Sequence, residues 1–164
     1  MENKYTRILV AIDGSKQAEW AFHNALAIAK RNNNAELYIA SVIDQTLSLS
    51  ASPSSSIFKD YKDRIENFVD TYAAYAKADG LTTVVPIVEY GSPKLVLSEK
   101  IVNDFGIDLV VCASSGLSGF KRFVLGSVSE GIARYSKVDV IIIKEKSMPA
   151  DFTAKINKQF NLDN

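Results

Sequence analysis

Two short segments of this 164-residue sequence combine residue types able to hold an anion. The first is Asp13-Gly14-Ser15, which follows the apolar run Ile8-Leu-Val-Ala-Ile12. The second opens at Ala113-Ser-Ser-Gly116 and closes at Gly126-Ser127-Val-Ser-Glu130. Glycine allows close approach of a backbone to a ligand and tolerates positive φ. Where such a turn runs into a helix, unpaired N–H groups and the helix dipole favour negative charge. Ser127-x-x-Glu130 has the form of a capping box, with Ser127 as the N-cap, which would start a helix there. Backbone N–H groups around Gly116 and Gly126 and at that helix start could converge on a phosphate. The competing reading is that Gly116, Gly119 and Gly126 serve only the turn.

Other chemistries find little support. The sole histidine, His23, falls inside a helical pattern, where packing or surface roles are commoner than catalysis. Ser114 and Ser115 lack the G-x-S-x-G setting of a nucleophile elbow. No G-x-x-x-x-G-K-[ST] loop occurs, and one cysteine, Cys112, with one histidine offers no transition-metal cluster. The expectation is a binding protein with no catalytic residues and no tightly bound transition metal.

The elements that would position these segments follow from hydrophobic patterning. The run ending at Ile12 has the length of a strand buried on both faces. Ser15 is placed to cap a helix whose apolar positions are Ala18, Ala21, Phe22, Ala25, Leu26 and Ala29. A strand over 36–43 completes a βαβ unit, which should cross over right-handed. Residues 45–56 are serine-rich without a core face and read as a loop. A second helix follows through Phe58, Tyr61, Ile65, Phe68 and Tyr72, ended by Gly80. The third strand, 83–89, carries Pro86 and so belongs at a sheet edge. A third helix runs from Ser92-Pro93 to Gly106, a fourth strand covers 108–113, a fourth helix 127–135 and a fifth strand 138–144. Alternating strands and helices predict an α/β fold: an open five-stranded parallel sheet, order 3-2-1-4-5, helices on both faces, Rossmann-like. That order reverses between strands 1 and 4, where such sheets bind ligands, and both glycine-bearing segments leave from there.

From about Lys4 to Lys144 the chain resembles the universal stress protein family. The resemblance rests on Ile8-Leu-Val-Ala-Ile-Asp-Gly-Ser15, on Val42-Ile43-Asp44 and on Leu125-Gly-Ser-Val-Ser129. The family's nucleotide-binding branch carries Gly-x2-Gly-x9-Gly-Ser/Thr. That register places Ala113, Gly116 and Gly126-Ser127 at its fixed positions, with alanine in place of the first glycine. The resemblance implies binding of ATP with magnesium. Asp13 would meet the ribose hydroxyls or the metal, as a hard carboxylate suits magnesium; its competing role is to cap the first helix. Ala11 and the main chain of Val42 would border the adenine. Gly116, Gly126, Ser127 and Val128 would contact the phosphates, with Lys121 and Arg122 in the spacer. The family's other branch does not bind ATP, so a nucleotide-free homodimeric adaptor is the alternative.

Composition bounds the partners. Nineteen basic residues balance nineteen acidic ones, so no global field draws in nucleic acid or an anionic membrane. The apolar runs are too short to span a bilayer, and a single cysteine without an export signal points to the cytoplasm. Residues 1–146 read as one domain, and 147–164 as a tail with Phe152, Ile156 and Phe160 on one stripe of a short helix. The fifth strand, Val138 to Lys144, would form an apolar sheet edge, which a second copy paired antiparallel would cover. Universal stress proteins resembling this chain commonly dimerise in that way.

Overall fold

The computed structural model describes residues 4–46, 52, 54–116 and 124–160. Strands β1 (Arg7–Ala11), β2 (Glu36–Asp44), β3 (Val84–Gly91), β4 (Leu109–Ala113) and β5 (Asp139–Ile143) form one sheet in the order β3-β2-β1-β4-β5. Every pairing is parallel. The apolar run around Leu9 is therefore the central strand, and Ile8, Leu9 and Val10 have no exposed surface. Pro86 lies on the β3 edge, as expected. At the two ends of β3 the carbonyls of Thr83 and Gly91 accept the N–H groups of Leu37 and Gln45, so odd-numbered residues face β2. Pro86, at an even position, lacks its N–H on the outer side, where no ladder bond is lost.

Helices α1 (Lys16–Arg31) and α2 (Ser56–Ala78) cover one face, burying Phe22, Ala25, Leu26, Phe68, Val69 and Tyr72 against Ile8, Val10 and Ile39. On the other face lie α3 (Pro93–Leu95), a π-helical turn (Val96–Lys100), α4 (Ile101–Phe105) and α5 (Ser127–Tyr135). Leu97, Ile101 and Ile132 pack there on Leu9, Ala40 and Val110. The sequence pattern predicted one continuous helix from Pro93 to Gly106; a π turn interrupts it, and Gly106 ends it at φ 62°. The predicted core stripe of α2 holds only from Ile65 onward, since Tyr61 is 43% exposed. Ser55 caps that helix through its Oγ, which accepts the Phe58 N–H at 3.2 Å. Residues 47–51 and 53 of the serine-rich segment lie outside the described residues.

Beyond β5 the chain crosses α1. A 3-10 turn at Glu145–Ser147 is tied down by Trp20, whose Nε1 donates to Ser147 Oγ at 3.0 Å. Phe152 then stacks edge-on against Trp20 and His23, and a second 3-10 turn spans Asn157–Phe160. Residues 152–154 are not helical, so no single helical stripe carries Phe152 and Ile156. Ile156 instead enters the α1–α2 core from an irregular stretch and is 2% exposed. That burial stabilises the tail by about 1.5–3 kcal/mol.

Candidate nucleotide site

At the carboxyl end of β1 the chain turns through Gly14, whose φ of +87° suits glycine alone. Ser15 caps α1, its Oγ accepting the Ala18 N–H at 3.0 Å. The exposed Asp13 accepts the Ser15 N–H on Oδ1 at 2.9 Å. Its turn role is therefore filled by one oxygen. The other, Oδ2, faces Gly116 so closely that a Cβ at that position would overlap it. The two segments singled out in the sequence thus meet at the reversal of the sheet, and the bareness of Gly116 makes room for the Asp13 carboxylate.

Ala113 is the last residue of β4 and pairs with Ile143. It has no positive φ, so the missing motif glycine is not needed here for its backbone freedom. The loop that follows is closed at its base by the Ser114 carbonyl, which accepts from Gly126 N–H at 2.8 Å and from Ser129 Oγ at 3.0 Å. Residues 117–123, which include Gly119, Lys121 and Arg122, lie outside the described residues.

The capping box is not formed. Gly126 is the N-cap of α5, with extended φ/ψ of −64° and 152°, and its carbonyl receives the first helical bond, from Glu130 N–H. Glu130 pairs instead with Arg134 at 2.9 Å. Ser127 therefore occupies the first helical position, exposed, with its hydroxyl not used in capping. The N–H groups of Ser127, Val128 and Ser129 precede that first bond, as at any helix start. Ser129 was not foreseen as a site residue. Its signal was available: with Gly126 as N-cap it falls at the third position, where its hydroxyl reaches back to Ser114 and Gly126.

The far wall comes from β2. The Ala40 carbonyl accepts the last bond from β1, from Ile12 N–H at 2.9 Å, whereas Leu37 and Gln45 bond toward β3. Even-numbered residues of β2 hence face β1. Two residues beyond Ala40, β1 has turned away, so the Val42 N–H and C=O face the crevice. Ala11, half-buried, lies on the same sheet face as Val42.

Other reactive side chains stand in packing roles. Cys112 is 3% exposed, and burial pushes its thiol pKa up to about 12, so it carries no thiolate at neutral pH. His23 sits among Phe22, Tyr75 and Phe152. Among the described residues no three His, Cys, Asp or Glu side chains are grouped to hold a metal. The Asp13 carboxylate is a hard donor, the kind that suits a magnesium ion held mainly by phosphates and water. No helix among the described residues is long and apolar enough to cross a membrane.

A residue far along the chain also reaches the site. Asn157 donates from Nδ2 to the carbonyls of Gly14 at 2.9 Å and Ser15 at 3.0 Å. Its Oδ1 accepts the Tyr72 hydroxyl at 2.7 Å. Beside it, the fully buried Glu19 accepts the N–H groups of Ile156 at 3.0 Å and Asn157 at 2.9 Å. Burial alone would raise the Glu19 pKa. The bonds from His23 and the two amides outweigh that and hold the carboxyl below its ordinary range. Burial and the neighbouring Glu19 charge push the Tyr72 pKa up, keeping the phenol protonated as a donor.

Comparison with known proteins agrees with the resemblance. The model of the family described as the universal stress protein family matches residues 4–144. A Staphylococcus haemolyticus protein named for that family is 37% identical over 163 residues, covering 96% of this chain and 98% of its own. Among solved structures, hypothetical protein MJ0577 superposes with a TM-score of 0.76 at 27% identity, over 86% of this chain and 96% of its own. A universal stress protein in complex with cAMP superposes at 0.63 with 28% identity, over 87% and 98%.

Proposed function

The chain belongs to the universal stress protein family, and from that membership we propose that it is an adenine-nucleotide-binding regulatory protein rather than a turnover catalyst. One observation carries the reading. Polar groups gather around one crevice at the carboxyl ends of β1, β2 and β4: the Val42 main chain on one side, the first amides of α5 on the other, and the Asp13 carboxylate between. Val42 would bond the edge of the adenine ring through N–H and C=O, with Ala11 against its face. Asp13 would take the ribose hydroxyls or a magnesium ion bridging to phosphate. The amides near Gly116 and those of Ser127 and Val128, with the Ser127 hydroxyl, would receive the phosphates beside Gly126. Ala113 is extended and not at positive φ, so its methyl brings no backbone strain to this end of the motif. That a universal stress protein 28% identical to this chain was solved in complex with cAMP supports an adenine nucleotide as the ligand.

The same reading has this protein act in the cytoplasm as a homodimer through β5. The Ile143 carbonyl faces β4, where Ser114 N–H donates to it, so Val140 and Ile142 turn their main-chain groups outward. Among the described residues nothing pairs with that edge. An antiparallel copy would satisfy both edges at once.

A nucleotide-free adaptor is the second reading, favoured by the alanine at the first glycine position of the motif. Thermal denaturation with ATP, ADP, AMP and cAMP, with and without magnesium, separates the two. A ligand at a hundred times its Kd adds about 2.7 kcal/mol, which raises the Tm of a domain this size by roughly 5–10 °C. No shift at millimolar nucleotide would favour the adaptor.

A further inference from the structure

The tail that crosses α1 ends on the turn carrying Asp13, and we propose that Asn157 is a positioning residue for the nucleotide site. The proposal rests on the nucleotide-binding reading above but has a readout independent of it. The chain of contacts is short. Asn157 Nδ2 donates to the carbonyls of Gly14 and Ser15, and the Gly14 carbonyl belongs to the same peptide plane as the Ser15 N–H that Asp13 Oδ1 accepts. Gly14 is at positive φ, a conformation with few restraints of its own. Fixing both carbonyls therefore fixes the plane of the Ser15 N–H and, through it, the direction of the Asp13 carboxylate.

Asn157 is itself buried and held by two further hydrogen bonds. Its N–H binds Glu19 Oε2, its Oδ1 takes the Tyr72 hydroxyl, and it is 3% exposed. A buried polar network in which every member has a partner is rigid, and one unmatched member is expensive. Ile156, Phe152 and the Ser147–Trp20 bond anchor the preceding residues on α1. A plain packing role for the tail would need only these apolar contacts. The bidentate hold on the turn carbonyls goes beyond it.

Linkage makes the effect reciprocal: whatever holds the turn raises ligand affinity, and ligand on Asp13 steadies the tail. The test uses the full chain with MgATP as probe. Asn157→Ala deletes the clamp and keeps the main-chain N–H on Glu19 and the Ile156 anchor. Affinity should fall about tenfold, within the usual range of coupling between sites. Hydrogen exchange of the Ser15 amide should quicken by a similar factor. Val69→Ala, a core change in α2 chosen to lower Tm by as much or more, should alter neither. If Asn157→Ala does not fold, Tyr72→Phe, which removes the 2.7 Å donor to Oδ1 and the longer 3.4 Å contact with Glu19, should weaken binding about threefold.

Unchanged affinity and unchanged Ser15 exchange in the Asn157 variant would overturn the proposal. Equal losses in Val69→Ala would overturn it as well, since they would reflect stability alone. If the wild type binds no nucleotide, the nucleotide reading fails by itself, and Ser15 exchange decides the positioning claim.

Discussion

Gly116→Ala tests the link between the two halves of the site most sharply. The new Cβ would overlap Asp13 Oδ2, and the carboxylate cannot simply swing aside, because Oδ1 is bonded to Ser15 N–H. The variant must turn Asp13 out of its bond. Gly116 is not among the glycines with positive φ, so alanine brings no backbone strain there. Reduced freedom in the unfolded chain favours the folded state by about 0.4–1 kcal/mol. Loss of one part-buried hydrogen bond opposes it by about 0.5–1.5 kcal/mol. The two nearly cancel, and Tm should stay within about 4 °C of wild type.

Binding should respond far more. A hydrogen bond to a charged group contributes about 1.5–3 kcal/mol. If Asp13 no longer meets the ribose or the metal, ATP affinity falls by about ten- to a hundredfold, each factor of ten being about 1.4 kcal/mol. Titration calorimetry on wild type, Gly116→Ala, Asp13→Ala and the double variant supplies the decisive cycle. Because the glycine acts through the aspartate, the double variant should bind no worse than Asp13→Ala alone. Losses that simply add would show a direct clash between the new methyl and the nucleotide. Unchanged affinity in Gly116→Ala would remove Asp13 from the site.

Two further outcomes are expected. Ile142→Pro deletes an outward-facing N–H of β5 while the bonds to β4 pass through the odd-numbered residues, so sedimentation should show a folded monomer; an intact dimer would place the interface elsewhere. Because the folded Glu19 pKa lies below the ordinary glutamate value of 4.5, its stabilising contribution is complete above that value and fades as pH falls below it; the Tm gap between wild type and Glu19→Gln should be constant from pH 8 to about 6 and close in acid, and a gap that widened in acid would contradict the charged clasp.

Much of this molecule could be read from patterning because its central strands are buried on both faces. An uninterrupted apolar run such as Ile8–Ile12 has few other uses in an α/β chain, and one proline at 86 was enough to send β3 to the edge and so set the order. The amphipathic α1 and its Ser15 cap were equally plain. Local signals misled where two candidates for the same role stood side by side. Ser127 and Glu130 have capping-box spacing, yet Gly126 takes the cap, because its N–H and carbonyl are both engaged, with Ser114 and Glu130. The π turn at Val96–Lys100 carried no mark in residue type, since an inserted residue shifts the helical phase without changing composition.

The site divides along the same line. The placement of Asp13 and Gly116 was legible because each follows a strand end whose position the sheet order dictates, and that of Val42 because it lies near the carboxyl end of β2. Asn157 was not, since its partners Gly14 and Ser15 lie more than 140 residues away. Glu19 shows why no local rule could have found the contact. By type and place on α1 it belongs to a solvated helix face, and burying a carboxylate without partners is prohibitive. What makes its complete burial tolerable is two main-chain amides delivered by the tail, with the Tyr72 hydroxyl 3.4 Å away and His23 beside it. The dependence runs both ways: the tail has no regular helix to satisfy its own amides at 156 and 157, and Glu19 supplies the acceptors. Each half would be a defect alone. Together they anchor a segment whose next side chain closes on the turn that presents Asp13.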